Sequence, residues 1–212
     1  TAIRQGHGVA TALQHAVAFA EVIAETRAWV DRVVIGLNLC PFAKAVQAHG
    51  QIRYTACGAT DDAGLLAALL GEMQMLVHSD PALTDTTLLI HPNVLTDFDA
   101  YNQFLTEAEA LLAGAGFDGV LQIASFHPDY RFAGTARDAV DNATNRSPYP
   151  MLHLLREASV ARGVAALPDA ASIYEANIRT LRALGQPRLR AFMALCRSDA
   201  LAGGDTEPSD AA

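Results

Sequence analysis

The sequence predicts an α/β fold: a small, mostly parallel three-stranded sheet made from βαβαβ units and flanked by N-terminal and C-terminal helices. Two observations predict it. Three short runs, Ile52 to Cys57, Thr86 to Ile90 and Val120 to Phe126, have the length and composition of strands. Between them lie two longer stretches with helical character, Asp61 to Val77 and Asp97 to Ala113. Strands alternating with helices of that length form crossover units with parallel strands.

The elements follow in chain order. Ala12 to Ile35 has helical spacing, with Val22, Trp29, Val33 and Leu37 near one stripe. Pro41 disturbs the continuation because it lacks an amide donor. A short helix from Pro41 to Ala48 is expected next, ending at Gly50. Thr60 is the expected N-cap of the first long helix. Thr96 opens the second, which Gly114 and Gly116 close. Arg131 to Pro150 shows no periodicity, and irregular stretches of that length are often functional. Ser147 is expected to cap a helix with Pro148 in its first turn, running to about Gly163. A final helical pair, Ala170 to Leu184 and Arg188 to Arg197, is split by Gly185 and Pro187. Residues 1–11 read as a flexible leader, 12–198 as a single domain and 199–212 as a disordered tail.

Composition narrows the function. Hydrophobic residues make up 51% and charged residues 18% of 212, so the chain can bury a core. The net charge of -8 offers no basic stripe, so no nucleic-acid partner is expected. No run approaches the ~18 apolar residues of a membrane span. Cys40, Cys57 and Cys196 show no CxxC spacing and fit a reducing, cytoplasmic setting. Gly114, Gly116 and Gly119 follow a helix and precede a strand, the wrong order for a dinucleotide fingerprint. There is no phosphate-binding Gly-Lys-Ser/Thr loop and no nucleophile elbow.

The candidate chemistry lies at the strand ends. His91-Pro92 follows the second strand and His127-Pro128 the third. If the strands run parallel, both histidines emerge at one carboxyl edge, where open α/β sheets bind ligands. Each following proline holds its histidine in extended backbone. His153 and Glu157, four apart in the helix expected after Ser147, would share one face, with the helix dipole favouring neutral imidazole. The plain alternative for each histidine is a turn or helix position without chemistry. Cys40 sits where a helix starting at Pro41 would lower its thiol pKa, with Lys44 one turn on; buried free cysteine is the ordinary alternative. Arg131, Asn145 and Arg146 in the long loop suit capture of an anion, against a solvated loop held by its own turns.

The segments Leu37 to Lys44, Ile90 to Pro92, Asp97-Phe98 with Tyr101, Gln122 to Thr135 and Thr144 to Glu157 resemble an uncharacterised bacterial family, domain of unknown function 1415. The resemblance runs from about Trp29 to Ser159. It implies that Cys40, His91, His127, Arg146 and His153 belong to a family pattern, and it implies no activity.

Three readings follow. In the first, a metal-dependent enzyme holds iron, zinc or manganese on His91, His127 and His153, with Glu157 or Asp129 as a fourth ligand. It acts on a small anionic substrate bound by Arg131, Asn145 and Arg146, with Tyr130 as proton donor. In the second, Cys40 is a nucleophile with a histidine base and no metal. In the third, the chain binds a small molecule without catalysis.

Overall fold

A computed structural model describes residues 18–166 and 172–203. Helix α1 covers 18–29 and continues into a π-helical turn, Val30–Ile35. Helix α2 (Ala43–Ala48) leads through Gly50, at φ 68°, into strand β1 (Ile52–Ala56). Helix α3 (Asp62–His78), β2 (Thr86–Ile90), α4 (Phe98–Gly114) and β3 (Leu121–Phe126) follow. A 3-10 turn (Val140–Thr144) precedes β4 (Met151–Arg156), α5 (Glu157–Ala165) and α6 (Ile173–Gly203), which is broken at Gly185 with φ 74°. The caps of α3 and α4 are Asp61 and Asp97, one residue after the threonines expected. Their carboxylates accept from Gly64 N at 2.8 Å and Ala100 N at 2.9 Å.

The sheet corrects the sequence expectation. It has four strands in the order β1-β2-β4-β3, with β1 and β2 parallel and β4 antiparallel to both neighbours. The fold is therefore α/β with a mixed sheet. The extra strand is the segment expected to be helical after Ser147; a helix begins only at Glu157. Met, Leu and His at 151–155 satisfy a helical stripe, yet a central strand buried on both faces is equally apolar throughout. The leader at 1–11 and the end at 204–212 lie outside the described residues, whereas 199–203, expected in the tail, belong to α6.

Strand alternation divides the interior. Leu89, Leu152 and Leu154 pack beneath α3 and α4, against Leu65, Leu69, Met73 and Leu76 and against Tyr101, Phe104, Ala108 and Leu112. Each fully buried Leu or Met there contributes about 2 kcal/mol. Leu88, Ile90 and Met151 face the other way, toward Trp29, Val30 and Val33 of the N-terminal helix and Leu181, Leu189 and Cys196 of α6. At the lower end of β4, the Arg156 guanidinium donates to the carbonyls of Leu76, Ser79 and Thr84, fastening β4 to the carboxyl end of α3.

At the opposite end of β4 the fastening is Tyr101. Its hydroxyl donates to Met151 O at 2.8 Å and accepts from Phe126 N at 3.0 Å. Phe126 and Met151 are register partners, so a side-chain hydroxyl from α4 joins the last pair of the β3–β4 ladder. Replacing it strands a buried donor and acceptor. Tyr101→Phe is expected to cost about 2–4 kcal/mol of stability, read from urea unfolding by circular dichroism. A loss under about 0.5 kcal/mol would show that the hydroxyl fastens nothing.

Candidate functional site

β1, β2 and β3 run in one direction, so His91 and His127 do leave the same sheet edge. Both are buried, and both flank the Tyr101 ring, with centroids 5.8 Å and 5.1 Å away. Their nitrogens serve the loop that delivers α4. His91 Nδ1 donates to Val94 O at 3.0 Å. His127 Nδ1 accepts from Asp129 N at 3.0 Å, so its proton sits on Nε2 and is donated to Leu95 O at 3.2 Å. Leu95 has φ 55°, a conformation an L-residue keeps only when its surroundings impose it. The two histidines supply that imposition. His91 Nε2 is left buried without a partner among the described residues, as are Trp29 Nε1, Thr87 Oγ1 and Arg156 Nε.

His153 lies on the other side of the sheet. It shares its strand face with Met151 and Leu155, whereas His91 and His127 continue the faces of Leu89 and of Ile123. The sheet thus stands between His153 and the other pair, and one ion cannot take all three. Among the described residues no group of three or more His, Cys, Asp or Glu side chains could hold a metal. The expected His153–Glu157 helix face also dissolves, because Glu157 is exposed in the first turn of α5, after the strand has ended.

His153 instead looks into a cavity of about 340 Å³. All four strands form its floor, through Ile52, Thr86 and Leu88, His153 and Leu155, and Ala124 and Phe126. Trp29, Val30 and Val34 of the N-terminal helix roof it, and Cys40, Phe42 and Val46 close one side. The wide π-helical turn holds Val30 and Val34 on this wall. Phe42 abuts Gly163 of α5, where any added Cβ would fall 2.7 Å from the ring. Trp29 meets Phe126 edge-on at 5.5 Å, and Phe126 lies 6.0 Å from His153. Asp85, the single charged lining residue among the described residues, accepts a 2.6 Å hydrogen bond from Ser159.

Cys40 reaches this cavity but not as expected. The helix after it starts at Ala43 with Phe42 as its cap, so Cys40 lies outside the first turn. Its thiol makes no hydrogen bond to an imidazole among the described residues. Tyr130 packs its ring on Phe98 and Phe132 at 5.2 Å and 5.0 Å. Arg131 pairs with Asp99 at 3.3 Å on the surface, and Asp129 lies 3.8 Å from Arg137. Asn145 donates to Ser125 O at 3.0 Å and closes the end of β3. Arg146 donates to the Tyr130 and Arg137 carbonyls and borders a separate groove with Arg190, Arg197 and Glu25. The anion-capture set is therefore dispersed. Trp29, Phe42, Thr86 and Phe126 line the cavity and escaped sequence reasoning; once β4 is a strand, the pairing of 86–90 with 151–155 would have revealed Thr86 beside His153.

Burial depresses the basicity of His91 and His153 to about 4, from an ordinary 6.5. His153 has some accessible surface, and its ring lines the cavity. Both rings are neutral in the fold, and the unfolded chain takes the protons that the fold refuses. Their stability contribution is complete above about pH 6.5 and drains as the pH falls toward 4. Between pH 7 and 5 each histidine is expected to remove roughly 2 kcal/mol, measured by scanning calorimetry. His153→Leu should remove its own roughly 2 kcal/mol from the total loss, to which buried His127 adds as well; an unchanged slope would show that the ring does not titrate as a buried group.

No curated protein and no solved structure matches this chain. A family described as "Protein of unknown function (DUF1415)" matches residues 21–191, which span the sheet, its helices and the cavity wall. This chain belongs to that family.

Proposed function

We propose that this protein binds a small, largely apolar molecule in the cavity between its N-terminal helix and the sheet. The observation that carries the reading is the apolar hollow itself. About 340 Å³ lies among Trp29, Phe42, Leu88, Phe126 and Leu155, within the size range of ligand pockets and lined as they are. A close-packed interior does not ordinarily leave so large an apolar space.

A second reading, covalent chemistry at Cys40 with His153 as base, is favoured only by their sharing this cavity. A base works best with a pKa near the operating pH, and burial holds His153 near 4. Under the binding reading, iodoacetamide should alkylate Cys40 equally fast in the parent and in His153→Leu at every pH, followed by peptide mass spectrometry. A marked slowing in His153→Leu would favour catalysis.

Toluene is the probe for the cavity. It is expected to bind with a Kd on the order of 0.1–1 mM, measured by ligand-detected NMR. Ala124→Leu, which grows into the space beside His153, should weaken it at least tenfold. Equal binding by both proteins would place toluene elsewhere. A chain lacking residues 1–17 that bound it more than tenfold tighter would assign the cavity to that segment.

A further inference from the structure

The cavity reading leaves the ligand's chemistry open, and the hydrogen bonds around His153 narrow it. Thr86 Oγ1 lies 2.6 Å from Leu154 O and 2.7 Å from His153 Nε2. A carbonyl only accepts, so the one hydroxyl proton of Thr86 goes to Leu154 O. His153 Nε2 must then carry a hydrogen and donate it to Thr86 Oγ1. A neutral imidazole has one N–H, so Nδ1 is left as a bare lone pair. It has no protein donor among the described residues, and it is not one of the sealed, partnerless atoms, so it opens on the cavity that His153 lines. Among the described residues the cavity lining contains no Lys or Arg, and its one carboxylate there, Asp85, is the acceptor for Ser159.

Resting on the binding reading, we infer that the ligand is a neutral molecule with an apolar body and one hydroxyl or N–H group, which it donates to His153 Nδ1. Thr86 acts as a positioning residue that fixes which nitrogen carries the proton. An anionic ligand fails on two counts. A carboxylate would meet a lone pair where it needs a donor, and no Lys or Arg among the described lining residues compensates its burial. A purely apolar ligand would fit but leave the lone pair unsatisfied. This departs from the anionic substrate expected from Arg131, Asn145 and Arg146, none of which lines the cavity.

Four probes of one skeleton test it by isothermal calorimetry at pH 7: toluene, p-cresol, 4-methylanisole and 4-methylbenzoate. p-Cresol should bind roughly three- to tenfold tighter than 4-methylanisole, which keeps the oxygen but not the donor. It should bind at least tenfold tighter than 4-methylbenzoate. In His153→Leu the cresol-to-anisole ratio should fall to about one, with each affinity read relative to toluene in the same variant. Equal affinities for cresol and anisole in the parent protein, with toluene bound, would overturn the donor inference and leave the cavity reading standing. 4-Methylbenzoate binding as tightly as p-cresol would also overturn it. Failure of all four probes to bind would remove the cavity reading and this inference together.

Discussion

The Tyr101 hydroxyl accepts from Phe126 N and donates to Met151 O, and through that contact α4 determines where β4 begins. In a strand, a slip of one residue exchanges the two faces. Met151 held at Tyr101 puts 151, 153 and 155 on the cavity side and 152 and 154 under the helices. Arg156 secures the other end to the carbonyls of Leu76 and Ser79 that finish α3. The position of His153 over the cavity is thus set by a phenol and a guanidinium that never touch it.

Three histidines in one sequence pattern have divided labour. His91 and His127 enclose the Tyr101 ring and hold Val94 and Leu95 in a strained approach to α4. Their value lies in a loop conformation that backbone preferences alone would not keep. His153 is bound by one nitrogen to Thr86 and keeps the other for the cavity. The same economy governs the long connection before β4. Asn142 receives Phe132 N and Thr135 Oγ1 and donates to Ala136 O, while Arg146 and Asn145 satisfy further carbonyls. Polar residues that looked like substrate ligands are the internal fasteners of a segment without a ladder of its own.

Much of the crossover framework was legible in the sequence. Thr86–Ile90 is legible to the residue, and α3 and α4 within one residue at each end, from apolar spacing and the polar residues before each helix, although the caps are Asp61 and Asp97 rather than the threonines before them. The break near Gly185 was legible as well, since only its freedom at φ 74° suits a turn there. The candidate site was much less legible. Reading Met151–Arg156 as helix moved His153 beside Glu157 and hid its partner Thr86. A buried central strand lacks the polar alternation that announces strands at a surface, and Leu, Met and Arg are good helix formers. Pairing between residues 67 apart in the chain, such as Thr87 with Leu154, leaves no local mark.

The insertion of β4 between β2 and β3 has a consequence for the order of assembly. During synthesis the first three strands and both crossover helices leave the ribosome well before Met151. Over that interval Thr86–Ile90, buried on every residue in the finished molecule, has β1 on one side and unpaired amides and carbonyls on the other. Such an edge is a template for pairing with another chain. The nascent protein therefore passes through a stage in which its most apolar strand is open to self-association, and the last strand to be made is the one that ends it.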